Sequence, residues 1–177
     1  MATLKVPVTS HDHIQGDLNA PIVLVEYGDY ECPHCASAYP IAKRVKERFG
    51  ERLAFVFRNF PLNQAHPSAE IAAEAAEFAA RHGRFWEMHD AIYENQEALG
   101  KPLLLELAQS LGLSSSTLDV ALTNHEYAAR VKEDFVGGVR SGVNGTPTFF
   151  INGHRHDDSF EFDVLAAAIE AQVSNTE

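Results

Sequence analysis

Two cysteines, Cys32 and Cys35, are the only thiols of this 177-residue chain, and they lie where a short apolar run meets a helical pattern. The run Ile22 to Tyr27 is rich in β-branched residues, which predicts a buried strand. After Cys35, apolar residues recur at helical spacing as far as Phe49, so a helix is predicted to begin at the cysteines. The fold must therefore place both thiols at a strand–helix junction.

The Cys-Pro-His-Cys segment has the chemistry of a redox site. Free N–H groups and the dipole at a helix N-terminus stabilise negative charge, so Cys32 is expected to be the thiolate and the attacking sulfur. Pro33 suits the first helical turn. His34 can donate a hydrogen bond or a positive charge to the Cys32 thiolate, which makes the disulfide more oxidising. Cys35 is predicted to be the buried resolving thiol.

Two acids beside the motif act in the opposite direction. Asp29 and Glu31 place negative charge next to Cys32, and like-charge repulsion raises the pKa of a thiol. The sequence leaves open which of these effects prevails.

A structural metal site is an alternative use of the cysteine pair. Such sites usually need four ligands, and the chain has no second cysteine pair. Only the way the chain folds could complete the site with histidines, namely His11 and His13 or His154 and His156.

Charge and hydropathy limit the partners. The formal net charge is −11 and there is no basic run, which argues against nucleic acid or an anionic membrane surface as partner. No stretch has the length of a membrane span, so no membrane insertion is expected. Residues 1–7 lack the apolar core of a secretory signal, which predicts a cytoplasmic protein, or a periplasmic one if a leader has been removed.

The remaining pattern alternates between strands and helices. Five segments with helical apolar spacing lie between the strand predicted at Leu53 to Arg58 and a hairpin, whose turn is the strong signal Asn152-Gly153. The predicted strands are an edge strand around Lys5 to Val8, Ile22 to Tyr27, Leu53 to Arg58, Thr148 to Asn152 and Gly153 to His156. The predicted helices after the first are His66 to His82, Phe85 to Leu99, Pro102 to Leu111, Ser116 to Thr123, His125 to Ser141, and a last one after Ser159 to about Val173.

This order predicts an α/β protein with a mixed sheet, since interleaved strands and helices give a parallel component and the hairpin adds an antiparallel edge. Residues 1–62 and 143–177 are expected to form the sheet domain. Residues 63–142 are expected to form an inserted helical subdomain.

The strand, the Cys32-Pro33-His34-Cys35 segment at a helix start, and Gly145-Thr146-Pro147 before a strand resemble the DsbA-like branch of the thioredoxin superfamily. The resemblance covers nearly the whole chain from Ile22. It implies a thioredoxin fold with an inserted all-helical subdomain, and disulfide oxidoreductase activity by thiol–disulfide exchange. It also implies protein thiol or disulfide substrates, an additional redox partner, and no metal, flavin or nucleotide cofactor.

The resemblance also assigns roles to single residues. Cys32 matches the nucleophile, Cys35 the resolving cysteine, and His34 the residue that tunes the thiolate. Gly145, Thr146 and Pro147 match the substrate-binding segment, in which Pro147 corresponds to a cis-proline opposite the cysteine pair and Thr146 offers backbone groups to an extended peptide.

Glu26 lies in an otherwise apolar strand, six residues before Cys32. It matches the buried acid that relays protons to the resolving cysteine in this superfamily. A carboxylate is costly to bury without a task, which favours a functional role. The alternative is that Glu26 faces solvent or forms a salt bridge.

Three other functions remain open at this point. A glutathione-dependent transferase or isomerase can share this fold, as kappa-type glutathione transferases do, but then Cys35 has no clear purpose. A redox sensor uses the same pair without turnover. A metal-binding or chaperone module retains the cysteines without catalysis.

Overall fold

The computed structural model describes residues 1–175, which contain five strands and seven α-helices. Two short 3₁₀ helices lie at Gly50–Arg52 and Gln96–Ala98. The strands are β1 His13–Gln15, β2 Ile22–Gly28, β3 Leu53–Asn59, β4 Thr148–Ile151 and β5 His154–His156. The α-helices are α1 Pro33–Phe49, α2 Ala69–Arg81, α3 Phe85–Glu94, α4 Lys101–Ser110, α5 Ser115–Thr123, α6 Ala128–Arg140 and α7 Phe162–Ser174.

The strands form one sheet in the order β1-β3-β2-β4-β5. Helix α1 connects the neighbours β2 and β3, the kind of crossover that parallel strands require, whereas the β1–β3, β2–β4 and β4–β5 pairs are antiparallel. Asn152 and Gly153 form the tight turn between β4 and β5, both with positive φ, as a type I′ turn demands. The predicted mixed sheet is confirmed, and helices α2 to α6 are inserted between β3 and β4.

The chain divides into two compact units. The first, here the sheet unit, consists of Met1–Gly28, Ser37–Arg58 and the described residues from Val136 onward. Its core is formed by apolar side chains of the strands and of α1 and α7, among them Leu24, Val45, Phe55, Phe150 and Ile169. The predicted domain limits after residues 62 and 142 stay a prediction.

The second unit, here the helical unit, consists of Asp29–Ala36 and Asn59–Phe135. Helix α2 lies against α3, α4 and α5, and its buried face is made mostly of alanines, which allow helices to approach closely. Phe85, Met88, Ile92 and Tyr93 of α3 are buried and contribute to the core of this unit.

The predicted edge strand around Lys5 to Val8 is wrong. The edge strand β1 is His13–Gln15, paired with β3. The backbone of the earlier segment bonds to side chains instead of a neighbouring strand. The Lys5 N–H donates to Ser141 Oγ at 2.9 Å, and two carbonyls of the segment accept hydrogen bonds from Arg58.

Arg58, at the end of β3, holds this N-terminal segment. Its guanidinium pairs with both carboxylate oxygens of Asp12, at 2.8 and 3.1 Å, and donates to the carbonyls of Val6 and Pro7 and to the Tyr27 hydroxyl. The Arg58 and Asp12 side chains are only 3% and 8% exposed. Arg58 and these four partners lie within the sheet unit and are here called the Arg58 cluster.

Candidate active site

The cysteine motif lies at the start of α1, as predicted. The helix begins at Pro33, and the carbonyl of Cys32 accepts the first helical hydrogen bond from the Ala36 N–H at 3.1 Å. Cys32 therefore occupies the position before the first helical turn, where backbone N–H groups have no helical partner. Neither cysteine is in a disulfide, and their relative exposures are 4% for Cys32 and 0% for Cys35.

The two residues between the cysteines are exposed. Pro33 is the first residue of the helix, where its missing N–H costs nothing. His34 follows it on the surface of the first turn. Its expected influence on the Cys32 thiolate stays a prediction.

Asp29 is buried three residues before Cys32 and accepts four hydrogen bonds. Its Oδ1 accepts from the N–H groups of Glu31 at 2.8 Å and Cys32 at 3.2 Å. Its Oδ2 accepts from the Leu62 N–H at 2.9 Å and is bonded to His66 Nδ1 at 2.7 Å. The carboxylate thus joins the turn that carries Cys32 to the segment that precedes α2.

The electrostatics of His66 reflect this position. Burial lowers the pKa of His66, but the hydrogen bond to Asp29 and the negative charges of Asp29, Cys32 and Glu31 outweigh burial, so the pKa lies above its usual value. The ring is 20% exposed, so it can exchange protons with solvent.

Glu31 also has a partner in this unit. Its Oε2 accepts a hydrogen bond from the Ser68 N–H at 2.6 Å, at the start of α2. Carboxylates are favoured at helix N-termini, where the dipole is positive. Both acids that were expected to repel a thiolate at Cys32 therefore accept hydrogen bonds that offset part of their charge.

Hydrogen bonds from Gln96, in the 3₁₀ helix after α3, fix the backbone around the cysteines. Gln96 Nε2 donates to the carbonyls of Tyr30 and Cys32, both at 2.9 Å. The Asp29 N–H points to Cys35 Sγ at 3.5 Å, within the range of a weak hydrogen bond to sulfur. The turn before α1 is thereby held from two sides.

The other predicted site residues lie in the sheet unit. Glu26 is in the middle of β2, 2% exposed, and is paired with Phe149 of β4. The alternative in which Glu26 faces solvent is therefore wrong. Segment Gly145–Pro147 leads into β4, the Thr146–Pro147 peptide bond is cis, and the Thr148 hydroxyl donates to the Gly145 carbonyl at 2.7 Å.

A groove of about 760 Å³ opens in the helical unit. Its walls are mainly apolar, and Glu70 and Lys132 are the charged residues among them. The apolar lining residues include Pro61, Leu62, Ala65, Val131 and Phe135.

Sequence reasoning missed His66 and Gln96. They follow Cys32 by 34 and 64 positions, and neither belongs to a motif. Only the fold of the helical unit brings them to the turn at Asp29. Within residues 1–175, no group of three or more His, Cys, Asp or Glu side chains is placed to hold a metal ion.

Comparison with known families identifies the chain. A family model described as Thioredoxin matches residues 8–171. The chain belongs to this thioredoxin family. The match covers both units and most of the sequence. The predicted thioredoxin fold with an inserted helical block is therefore confirmed.

Three solved structures illustrate the fold of this thioredoxin family member. Oxidised BdbD from Bacillus subtilis aligns with a TM-score of 0.87 at 24% identity, over 98% of each chain. Alpha-DsbA1 from Wolbachia pipientis aligns at 0.82 and 20% identity, over 97% of this chain and 95% of that one. A thioredoxin-like oxidoreductase from Silicibacter pomeroyi DSS-3 aligns at 0.78 and 21% identity, over 96% and 95%.

Curated relatives of the thioredoxin family member are longer proteins. A Na(+)/H(+) antiporter NhaA 1 from Salinispora arenicola is 41% identical over 174 residues, which are 98% of this chain but 26% of that protein. An antiporter NhaA from Herminiimonas arsenicoxydans is 37% identical over 98% of this chain and 28% of its own length. The chain thus spans about a quarter of these relatives. In the described part of the chain, no helix has the length and apolar character needed to cross a membrane.

Proposed function

We propose that the chain is a protein disulfide oxidoreductase that exchanges thiols and disulfides with protein substrates through Cys32 and Cys35. The observation that carries the proposal is the position of the pair. Cys32 precedes the first turn of α1, where free N–H groups favour a thiolate, and Cys35 is buried one turn further on.

The reaction takes two steps. In the reducing direction, the Cys32 thiolate attacks one sulfur of a substrate disulfide, forms a mixed disulfide and releases the other substrate sulfur as a thiolate. Cys35, once deprotonated, attacks Cys32 Sγ, closes the Cys32–Cys35 disulfide and releases the second substrate thiolate. Two electrons pass from the dithiol to the substrate, and the reverse sequence delivers a disulfide.

The other predicted residues have supporting roles in this proposal. His34 tunes the thiolate from the first turn, and Glu26 relays the proton of Cys35. The segment Gly145, Thr146 and Pro147 pairs with the backbone of an extended substrate, a mode of recognition that tolerates many sequences. Apolar side chains of an unfolded substrate can lie in the groove of the helical unit.

The test compares reduction of insulin disulfides by the wild-type chain, Cys32→Ser and Cys35→Ser. We expect no reduction by Cys32→Ser, and a trapped mixed disulfide with substrate in Cys35→Ser. Ser37→Ala, an exposed change on the same helix, is the matched control and is expected to keep wild-type turnover. Full activity of Cys32→Ser would refute the proposal.

Each alternative predicts a different result. A glutathione-dependent transferase or isomerase is expected to retain its turnover in Cys35→Ser, because it has no need of a resolving thiol. A redox sensor is expected to oxidise and reduce stoichiometrically without turnover. A metal-binding module is expected to retain zinc through purification and to release it on alkylation.

The direction of electron flow follows from the reduction potential, measured by equilibration with glutathione buffers. A value near or above about −150 mV indicates a disulfide donor, and a value near or below about −250 mV indicates a reductase. The antiport named for the longer relatives is attributed to those whole proteins and forms no part of this proposal.

A further inference from the structure

Cys32 lies beside two acids, so the charge that balances them matters for its reactivity. We propose that His66 is a positioning residue of the redox site: held by Asp29, its imidazolium offsets the acids before the motif and favours the Cys32 thiolate. This inference rests on the proposed function, because it describes how that site is tuned.

The geometry connects the two side chains through one carboxylate. Asp29 Oδ1 accepts from the Cys32 N–H at 3.2 Å, and Asp29 Oδ2 is bonded to His66 Nδ1 at 2.7 Å. The side chain of Asp29 has no exposed surface. Its other hydrogen-bond donors are backbone N–H groups, so among the four it is His66 that can carry a full positive charge.

The charges that act on His66 are those of Asp29, Cys32 and Glu31, all negative when ionised. Burial opposes the protonated ring, but these charges outweigh it and raise the pKa of His66. Coupling between two titrating groups is reciprocal. If ionised Cys32 favours protonated His66, then protonated His66 favours ionised Cys32 by the same free energy.

A purely structural role for His66 makes different predictions. The ring could serve only to tie the segment before α2 to the turn at Asp29. Removing it would then lower the stability of the protein without changing the acidity of Cys32. The experiment must therefore read the thiol directly.

The pKa of Cys32 is obtained from the pH dependence of alkylation by iodoacetamide, in a Cys35→Ser background that leaves a single thiol. We compare this background with the same protein carrying His66→Gln, which can still donate to Asp29 but has no charge. The matched control is His82→Gln, an exposed histidine of the same unit. We expect the His66→Gln change to raise the pKa of Cys32 by about one unit, and the His82→Gln change to leave it unaltered.

His66→Lys keeps a cation at this position and is expected to restore much of the acidity of Cys32. In the chain with both cysteines, one pKa unit is a tenfold change in the stability of the thiolate. His66→Gln is therefore expected to change the equilibrium with glutathione tenfold, which lowers the reduction potential of the Cys32–Cys35 pair by about 30 mV. An unchanged Cys32 pKa in folded His66→Gln would overturn the inference and leave His66 with a structural role.

A second measurement uses the unaltered chain and needs no variant to fold. The pKa of His66 is followed by NMR in the reduced and in the oxidised protein. Oxidation removes the thiolate, so the pKa of His66 is expected to fall; equal values in the two states would overturn the inference. Neither readout depends on turnover, so a chain inactive toward protein disulfides would refute the proposed function and leave this result standing.

Discussion

The Arg58 cluster of the sheet unit and the Asp29–His66 pair of the helical unit each hold a buried carboxylate, but with a different basic side chain. Each contains a buried carboxylate bonded to a basic side chain, at 2.8 Å for Asp12 with Arg58 and 2.7 Å for Asp29 with His66. A guanidinium is charged at every pH that a protein meets, whereas an imidazole gains and loses its proton near neutrality. The first pair is fixed, and the second can respond to pH and to a neighbouring thiolate.

The partners of each pair reinforce this difference. Burial lowers the pKa of Arg58, but the hydrogen bond and charge of Asp12, together with Tyr27, raise it further above its already high value. The donors around Asp29, apart from His66, are neutral backbone N–H groups. The charge balance at Asp29 thus depends on one titrating ring, and that ring lies in the unit that carries the cysteines.

The largest expected effect is on the fixed pair. Arg58→Ala leaves Asp12 buried without its cation and the carbonyls of the N-terminal segment without donors. We expect the free energy of unfolding to fall by about 3–5 kcal/mol, measured by urea denaturation. The control is Arg48→Ala, which breaks an exposed pair with Glu170 and should cost less than about 1 kcal/mol. If both variants cost the same, the Arg58 cluster does not stabilise the sheet unit in the way described.

An intermediate effect is expected at the other carboxylate. Asp29→Ala removes the acceptor of three N–H groups and of His66, so the free energy of unfolding should fall by about 2–3 kcal/mol. Asp119→Ala, an exposed change in the same unit that breaks a pair with Lys101, should cost less than about 1 kcal/mol. Equal stability of Asp29→Ala and the wild type would show that these four hydrogen bonds contribute nothing net.

The smallest expected effect is a difference between the two pairs in how their contribution to the free energy of unfolding depends on pH. The pKa of His66 is raised in the folded chain, so its contribution to stability is complete below about pH 6.5 and is lost as pH rises through the folded-state value. The stability difference between the reduced wild type and His66→Gln should therefore shrink from pH 6 to pH 9, from at most about 1 kcal/mol. The difference between the wild type and Arg58→Ala should stay constant over this range, because Arg58 keeps its proton. A His66→Gln difference that does not change with pH would contradict the assignment of a titrating cation at Asp29.

Most regular elements were predictable because their patterns are local. The apolar run of β2, the helical spacing of α1 and the Asn152-Gly153 turn each specify a structure within a few residues, and the structure confirms all three. The edge strand was not predictable. Strand β1 has three residues, too few for a period to show, and the more apolar segment near Val6 is held by Arg58 instead.

The residues of the candidate site also divide into those that local sequence predicts and those that it does not. The position of Cys32 before the helix and of Pro33 in its first turn depends on adjacent residues, so it could be predicted from the motif. The burial of Glu26 could be anticipated from the apolar strand around it. His66 and Gln96 had no such signal, because a histidine before Pro67 and a glutamine after α3 look like surface residues in any sequence.

The sequence by itself determined the spacing of the two cysteines, the helix that begins between their sulfurs, and the order of strands and helices. These depend on chemistry and periodicity along the chain. Only the tertiary structure decided which charges surround Cys32, because electrostatic energy depends on distance and burial rather than on separation in sequence. Two acids that the sequence places against the thiolate accept hydrogen bonds in the folded helical unit, one of them from a histidine 37 residues away.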